Sequence, residues 1–260
     1  MMPPSFQVFS QLLKRDLLAF KREYLTKLFD TFCLFFTIVI VFCYFMPQEG
    51  VREGYASFFL IGAIASFGFV EIVGKVGALM ADLQGDCTLS HTLILPIRTE
   101  MVFIYIGLQW ALTSALLSIF LFPLGKLLLF KGFDLSLISY PKLIYMFVTI
   151  NLFFGYFALW LASVIKDVSG LTSLWLRYIN PIWMFGAYFY SWEASYALSP
   201  VIGAITLINP MVYVMEGMRA AALGQAGYLP YWLCLIMLWG FIGACTWHAI
   251  NRLKKRLDCV

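Results

Sequence analysis

ALSPVIGAITLINPMVYVMEGMRAAAL, residues Ala197–Leu223, is the stretch whose reading decides the fold. It is apolar enough to enter a bilayer, yet Pro200 and the Asn209–Pro210 pair break it into two short pieces. A helix needs roughly 20 unbroken apolar residues to cross the hydrocarbon core, and each piece has about half that. The second piece also carries Glu216 and Arg219. Broken backbone at membrane depth is tolerated only where protein or a water-lined cavity shields it. The pattern predicts a re-entrant helical hairpin over about 197–223, entering and leaving by one face ahead of a last apolar span and a basic tail.

Composition agrees with a membrane setting. Hydrophobic residues make up 62% of the 260, charged residues only 12%, and mean hydropathy is +0.85. A soluble domain carries about 25% charged residues. The length suits one membrane domain and leaves no room for a soluble catalytic domain. The net charge of +4 is no nucleic-acid footprint, because the basic residues flank apolar spans. Six cysteines (Cys33, Cys43, Cys87, Cys234, Cys245, Cys259) show neither C-x-x-C nor metal-ligand spacing, and four of them fall inside predicted spans. Met1–Lys27 lacks a continuous apolar core, so no cleavable signal peptide is expected.

Spans are expected at about 29–46, 56–80, 101–124, 143–165, 171–192 and 230–250. Charge chooses between six crossings and seven. With six spans and both termini cytoplasmic, Lys14, Arg15, Lys21, Arg22, Lys27, Arg98, Lys166, Arg177, Arg252, Lys254, Lys255 and Arg256 face inward. Arg52, Lys126, Lys131, Lys142 and Arg219 face outward, and Lys75 stays inside a span. Twelve against five satisfies the positive-inside tendency. The expected fold is therefore an all-α integral membrane domain, spanning 29–250. A cytoplasmic N-terminal segment 1–28 precedes it and a basic cytoplasmic tail 251–260 follows.

In the N-terminal segment Phe6, Phe9, Leu13, Leu17, Phe20 and Tyr24 recur every three or four residues, with Gln11, Lys14, Arg15, Lys21 and Arg22 largely on the other face. That predicts an amphipathic helix in the headgroup plane, serving as an anchor or also touching a cytoplasmic partner. Between the second and third spans, Asp82–Glu100 reads DLQGDCTLSHTLILPIRTE. Asp86 can cap a short helix there, with Leu89, Leu93 and Ile94 at helical spacing and Pro96 ending it. Its apolar face fits either a groove on another protein or the ends of its own spans.

Charges inside spans mark function or structure. Glu71 and Lys75 lie at i and i+4, so they share a face and can pair. They either line a path or dimer interface, or Lys75 snorkels to the surface while Glu71 neutralises it. Glu216 and Arg219 can pair likewise and brace the hairpin. In the fifth span Arg177, Asn180 and Pro181 precede Trp183, Phe185, Tyr188, Phe189, Tyr190 and Trp192. This run reads as a membrane-interface aromatic belt or as a stacking surface for sugar rings. His91 and His248 have no sequence partner for catalysis or metal binding, and no nucleophile–base pair or paired acids can be placed on one site.

The order of interfacial helix, six spans, a G-x-x-x-L-x-x-x-L-x-x-P loop (Gly85, Leu89, Leu93, Pro96) and N-P-x-x-x-x-x-E-x-x-R (Asn209, Pro210, Glu216, Arg219) resembles type-2 ATP-binding cassette exporter permeases. The resemblance covers nearly the whole chain. The acidic residue often found near the second leucine of that loop is replaced around Ser90 and His91. It implies a half-transporter of the inner membrane: two permease chains pair as a homodimer among membrane lipids, and two copies of an ABC ATPase subunit dock below. Residues 85–96 then form a coupling helix, with Gly85, Asp86, Leu89, His91, Leu93 and Pro96 as coupling residues. Glu71, Lys75, Arg177, Pro181 and Tyr188 become candidates for the translocation path or dimer interface.

The sequence supports this division of labour independently, because no G-x-x-x-x-G-K-[ST] occurs; Gly74–Lys75 and Gly125–Lys126 lack the rest of that cradle. No cofactor is expected in this chain, ATP and Mg being bound by the partner ATPase. Size and short external loops look most like exporters of polysaccharide or lipid-linked glycan, with drug or lipid exporters as the alternative. A membrane-embedded lipid-modifying enzyme would need clustered His, Asp or Glu, and an ion-coupled carrier would need paired broken helices in inverted repeats.

Overall fold

Apolar residues on every side of a helix force it into a packed interior or a bilayer, and this chain builds its fold from such helices. The computed structural model describes residues 4–46, 54–86, 88–129, 136, 138–165 and 170–257. It is 86% helix, with no strands among the described residues. Arg52, Lys131, Lys166, Cys87 and Cys259 lie outside the described residues, as do the side chains of Asp86 and Ser90.

Helix α1 (Pro4–Val39) runs on through a π-helical turn, Ile40–Phe45. Two collinear pieces, α2 (Tyr55–Val70) and α3 (Ile72–Ala81), meet at Glu71. The loop helix α4 spans Thr88–Leu93. Next come α5 (Thr99–Ser118), α6 (Leu121–Leu128) and α7 (Tyr140–Val164). Short pieces α8 (Gly170–Leu174), α9 (Asn180–Met184), α10 (Trp192–Leu198) and α11 (Pro200–Thr206) lead to α12 (Pro210–Ala222) and the long α13 (Tyr231–Leu257). Five of these runs, Ser5–Phe45, Tyr55–Ala81, Thr99–Leu128, Tyr140–Val164 and Tyr231–Leu257, are long and apolar enough to cross a membrane, and α11 with α12 would make a sixth, bent by 95°. That architecture fits a multi-pass membrane protein.

The core lies where α7 packs against α5 and α13. Close approach of α5 and α7 rests on glycine: a Cβ on Gly155 would sit 2.3 Å from the Gly107 carbonyl oxygen. Small residues at a crossing let two apolar helices approach to backbone contact, where dispersion and weak hydrogen bonds replace lipid.

Contacts sort the helix ends into two sets. At one end Arg219 reaches Phe58 at the start of α2, Ser139 before α7 bonds Ala221, Tyr231 of α13 bonds Lys142, and Tyr44 donates to the Leu128 carbonyl. At the other, Lys254 pairs with Glu100, and Arg256 donates to the Ile165 carbonyl at 2.9 Å. Successive helices thus alternate in direction.

Two sequence expectations meet a different structure. The N-terminal segment is not separate from the first span: α1 is one helix lying alongside α5, with Tyr105 donating to Asp16 and Tyr24 to the Leu116 carbonyl at 3.2 Å. Of the predicted stripe Phe20 is buried, Phe9, Leu13, Leu17 and Tyr24 are half-buried and Phe6 is exposed, while Gln11, Lys14, Arg15, Lys21 and Arg22 stay exposed. The expected span at 171–192 is likewise no long helix. Helical structure there stops at Met184, and the chain turns through Phe185–Ser191, with Ala187 left-handed at φ 60°. Pro181 at the head of α9 removes a backbone donor, and Gly186 packs against Met211 too tightly for a Cβ. Tyr188 is buried against Phe59, and Phe189 also packs on Phe42, so this part of the aromatic run is core rather than interface belt.

Candidate functional site

Residues 192–229 return to the end of the bundle they leave. The Glu216 carboxylate accepts from the backbone N–H of Trp192 with one oxygen and from that of Leu229 with the other, both at 3.1 Å. One side chain thereby ties the entry of the segment to its exit. Asn209 builds the inner corner: its carbonyl caps the Met211 N–H at 3.0 Å, Pro210 pre-sets the first turn of α12, and its amide donates to the Ile182 carbonyl at 2.7 Å. Every residue from Met211 to Ala222 is buried.

Arg219 is fully buried and spends its donors on backbone carbonyls: Ala187 at 2.6 Å, Tyr188 at 2.8 Å and Phe58 at 3.2 Å. Its guanidinium lies 3.5 Å from the Phe58 ring centroid. Glu216 stands 3.9 Å away, close enough to neutralise it, while its own acceptors serve backbone donors. Burying a charge is tolerated when it is both paired and hydrogen-bonded. The two residues expected to brace the hairpin therefore join α2, the 187–192 turn, α12 and the entry to α13. Sequence pattern gave no signal for Phe58, Ala187 or Gly62, where a Cβ would lie 2.7 Å from an Arg219 nitrogen.

The second charged pair is elsewhere. Lys75 lies 2.9 Å from Glu71, donates to the Trp110 carbonyl at 3.1 Å and bonds the Ser114 hydroxyl, which donates to Glu71 at 2.8 Å. Lys75 does not run outward to the surface; its ammonium is held by α5, correcting the snorkelling alternative. The pair lines an open cavity of about 510 Å³ between α1, the α2–α3 junction and α5.

A larger, almost wholly apolar cavity of about 1030 Å³ lies on another face, lined by Trp160, Pro181, Ile205, Asn209, Trp247 and His248. His248 gains a partner that the sequence did not reveal: Trp160 Nε1 donates to its Nδ1 at 2.8 Å. Of the five path or interface candidates, Glu71 and Lys75 share the polar cavity, Pro181 lines the apolar one, Tyr188 is buried core, and Arg177 is exposed on a π-helical turn. The structure does not bring them together within one chain.

At the opposite end from the hairpin, α4 is capped by Asp82, whose two carboxylate oxygens accept from Thr88 N–H at 2.9 Å and Leu89 N–H at 2.8 Å. Leu89 turns inward and is buried, and Leu93 packs partly on the core. The leucines expected to face a partner thus hold α4 to its own bundle, where it packs on α5 and the Asp82 cap fixes its first turn. What α4 and the bend after it expose is His91, Ile94, Leu95 and Pro96, with Ile94 81% exposed. Gly85 is exposed in the preceding π-helical turn.

Among the described residues no group of three or more His, Cys, Asp or Glu could hold a metal ion, and Cys33, Cys43, Cys234 and Cys245 are free. Comparisons of this chain with protein-family models, with curated proteins and with solved structures find no match.

Proposed function

We propose that this chain is the membrane-spanning subunit of an ATP-driven ABC exporter, working as a dimer with two separate ATPase subunits that bind ATP and Mg. In this reading the chain makes six passages of the inner membrane, five by the long runs and one by the short pieces between Gly170 and Met184; residues 192–229 form the external re-entrant hairpin, and α4 is the cytoplasmic coupling helix. The observation that carries it is Ile94, 81% exposed beside His91 at the end of the bundle away from the hairpin. Ile94 and Leu95, in the turn after α4, together expose an apolar patch, and such a patch on this face fits a protein groove. Polysaccharide or lipid-linked glycan is the cargo class we assign. The apolar cavity of about 1030 Å³ favours a second reading, in which the cargo is a lipid or an apolar drug.

A photo-crosslinking residue at position 94, activated in native membranes, tests the proposal. Capture of a P-loop ATPase subunit is the expected outcome. Crosslinks confined to lipid or to a second copy of this chain would overturn it.

A further inference from the structure

Three helices place polar groups around one open cavity: Lys27 and Asp30 on α1, Lys75 on α3 with Glu71 just before it, and Gln109 on α5. Leu34 on α1 and Phe67 and Val70 on α2 line it from positions nearer the hairpin end of their own helices. On α1 and on α2–α3 the lining is therefore polar toward the α4 end and apolar toward the hairpin end, the gradient that a lipid headgroup and its acyl chain require.

Charge selects the occupant. Lys75 and Glu71 neutralise each other. At the mouth Lys27 is half exposed, its nearest acidic partner Glu23 lying 3.4 Å away and still more exposed. Asp30 is exposed and Gln109 half-buried, and neither side chain bonds another described residue. Two cations and two anions give a lining of zero net charge, which holds a zwitterion in preference to a free anion. We propose that this cavity binds one zwitterionic, amine-bearing phospholipid of the phosphatidylethanolamine type, with Lys27 on the phosphate, Asp30 on the primary ammonium and Leu34, Phe67 and Val70 on an acyl chain. The site does not depend on the exporter reading; it needs only a membrane around the bundle.

Native mass spectrometry of the delipidated chain in detergent, given equal amounts of phosphatidylethanolamine, phosphatidylglycerol and phosphatidylcholine, tests it. One phosphatidylethanolamine per chain should be retained with about fivefold preference, the effect of one exposed ion pair. Lys27→Gln with Asp30→Asn should abolish the preference. Both residues are at the surface, so the unfolding temperature in lipid-free detergent should not move. Gln109→Leu should weaken retention. Equal retention of phosphatidylglycerol, unchanged selectivity in the double variant, or full displacement by soluble glycerophosphoethanolamine would each overturn the proposal.

Discussion

Arg219 donates its 2.6 Å hydrogen bond to the carbonyl of Ala187, the one non-glycine residue with positive φ among those described. The turn that ends the helical run at Met184 is thus held in a left-handed conformation by the cation it solvates. Replacing Arg219 with Lys keeps the charge but loses the planar fork that reaches two carbonyls at once. Arg219→Lys should destabilise the protein by about 3 kcal/mol, the scale for leaving buried polar groups and a buried charge unmet. Thermal unfolding in detergent checks this; an unchanged midpoint would show that the clamp carries no stability.

Ala187→Gly removes the steric cost of the left-handed backbone, about 1–2 kcal/mol, against an entropic loss of about 0.5–1 kcal/mol. It should be neutral or slightly stabilising, whereas Ala187→Val should be clearly destabilising. The order of the two melting temperatures is the measurement, and Val equal to Gly would contradict the strain account.

Glu71→Gln or Lys75→Gln alone leaves one partly buried charge without its counter-ion, although Ser114 still offers a hydrogen bond. Each single change should cost about 1–3 kcal/mol, and the double change should recover most of that. Additive losses in the double-mutant cycle would mean that the two residues act independently.

At the loop end, Leu89→Asp buries an unpaired carboxylate and should lower the unfolding temperature sharply. Ile94→Asp should leave that temperature unchanged and reduce co-purification with an ATPase partner by at least about tenfold, roughly 1.4 kcal/mol of binding. Loss of folding in both, or of binding in neither, would remove α4 from the coupling role.

Single cysteines at Ala194 and Gly224, in a cysteine-free background, should be labelled by an impermeant thiol reagent from the same side of the membrane. The shared Glu216 contact to Trp192 and Leu229 requires this. Labelling from opposite sides would replace the re-entrant hairpin with a crossing.

Long apolar runs made most of the helices legible in the sequence, and Pro200 and Asn209–Pro210 do stand at the starts of α11 and α12. What escaped was set by tertiary contacts that leave no periodic trace. The run 171–192 is apolar and aromatic enough for a span, yet it is built of short pieces, and Pro181 and the tight approach of Gly186 to Met211 end its helix at Met184. The apolar stripe of α1 is real, but periodicity cannot say whether lipid or α5 covers it. Leu89 has the spacing of an exposed docking face, and only the Asp82 cap rotates it inward.

The Glu216 bridge also sets an order of events during synthesis. Trp192 precedes Glu216 by 24 residues and Leu229 follows it by 13, so one of its carboxylate oxygens waits for chain not yet made. Arg219, by contrast, finds Phe58, Ala187 and Tyr188 already emerged from the ribosome. The cation can be satisfied as soon as it appears, and the anion only when the start of the last helix follows. A nascent chain stalled before Leu229 would hold a docked arginine and a half-solvated carboxylate, a hairpin closed at one side only.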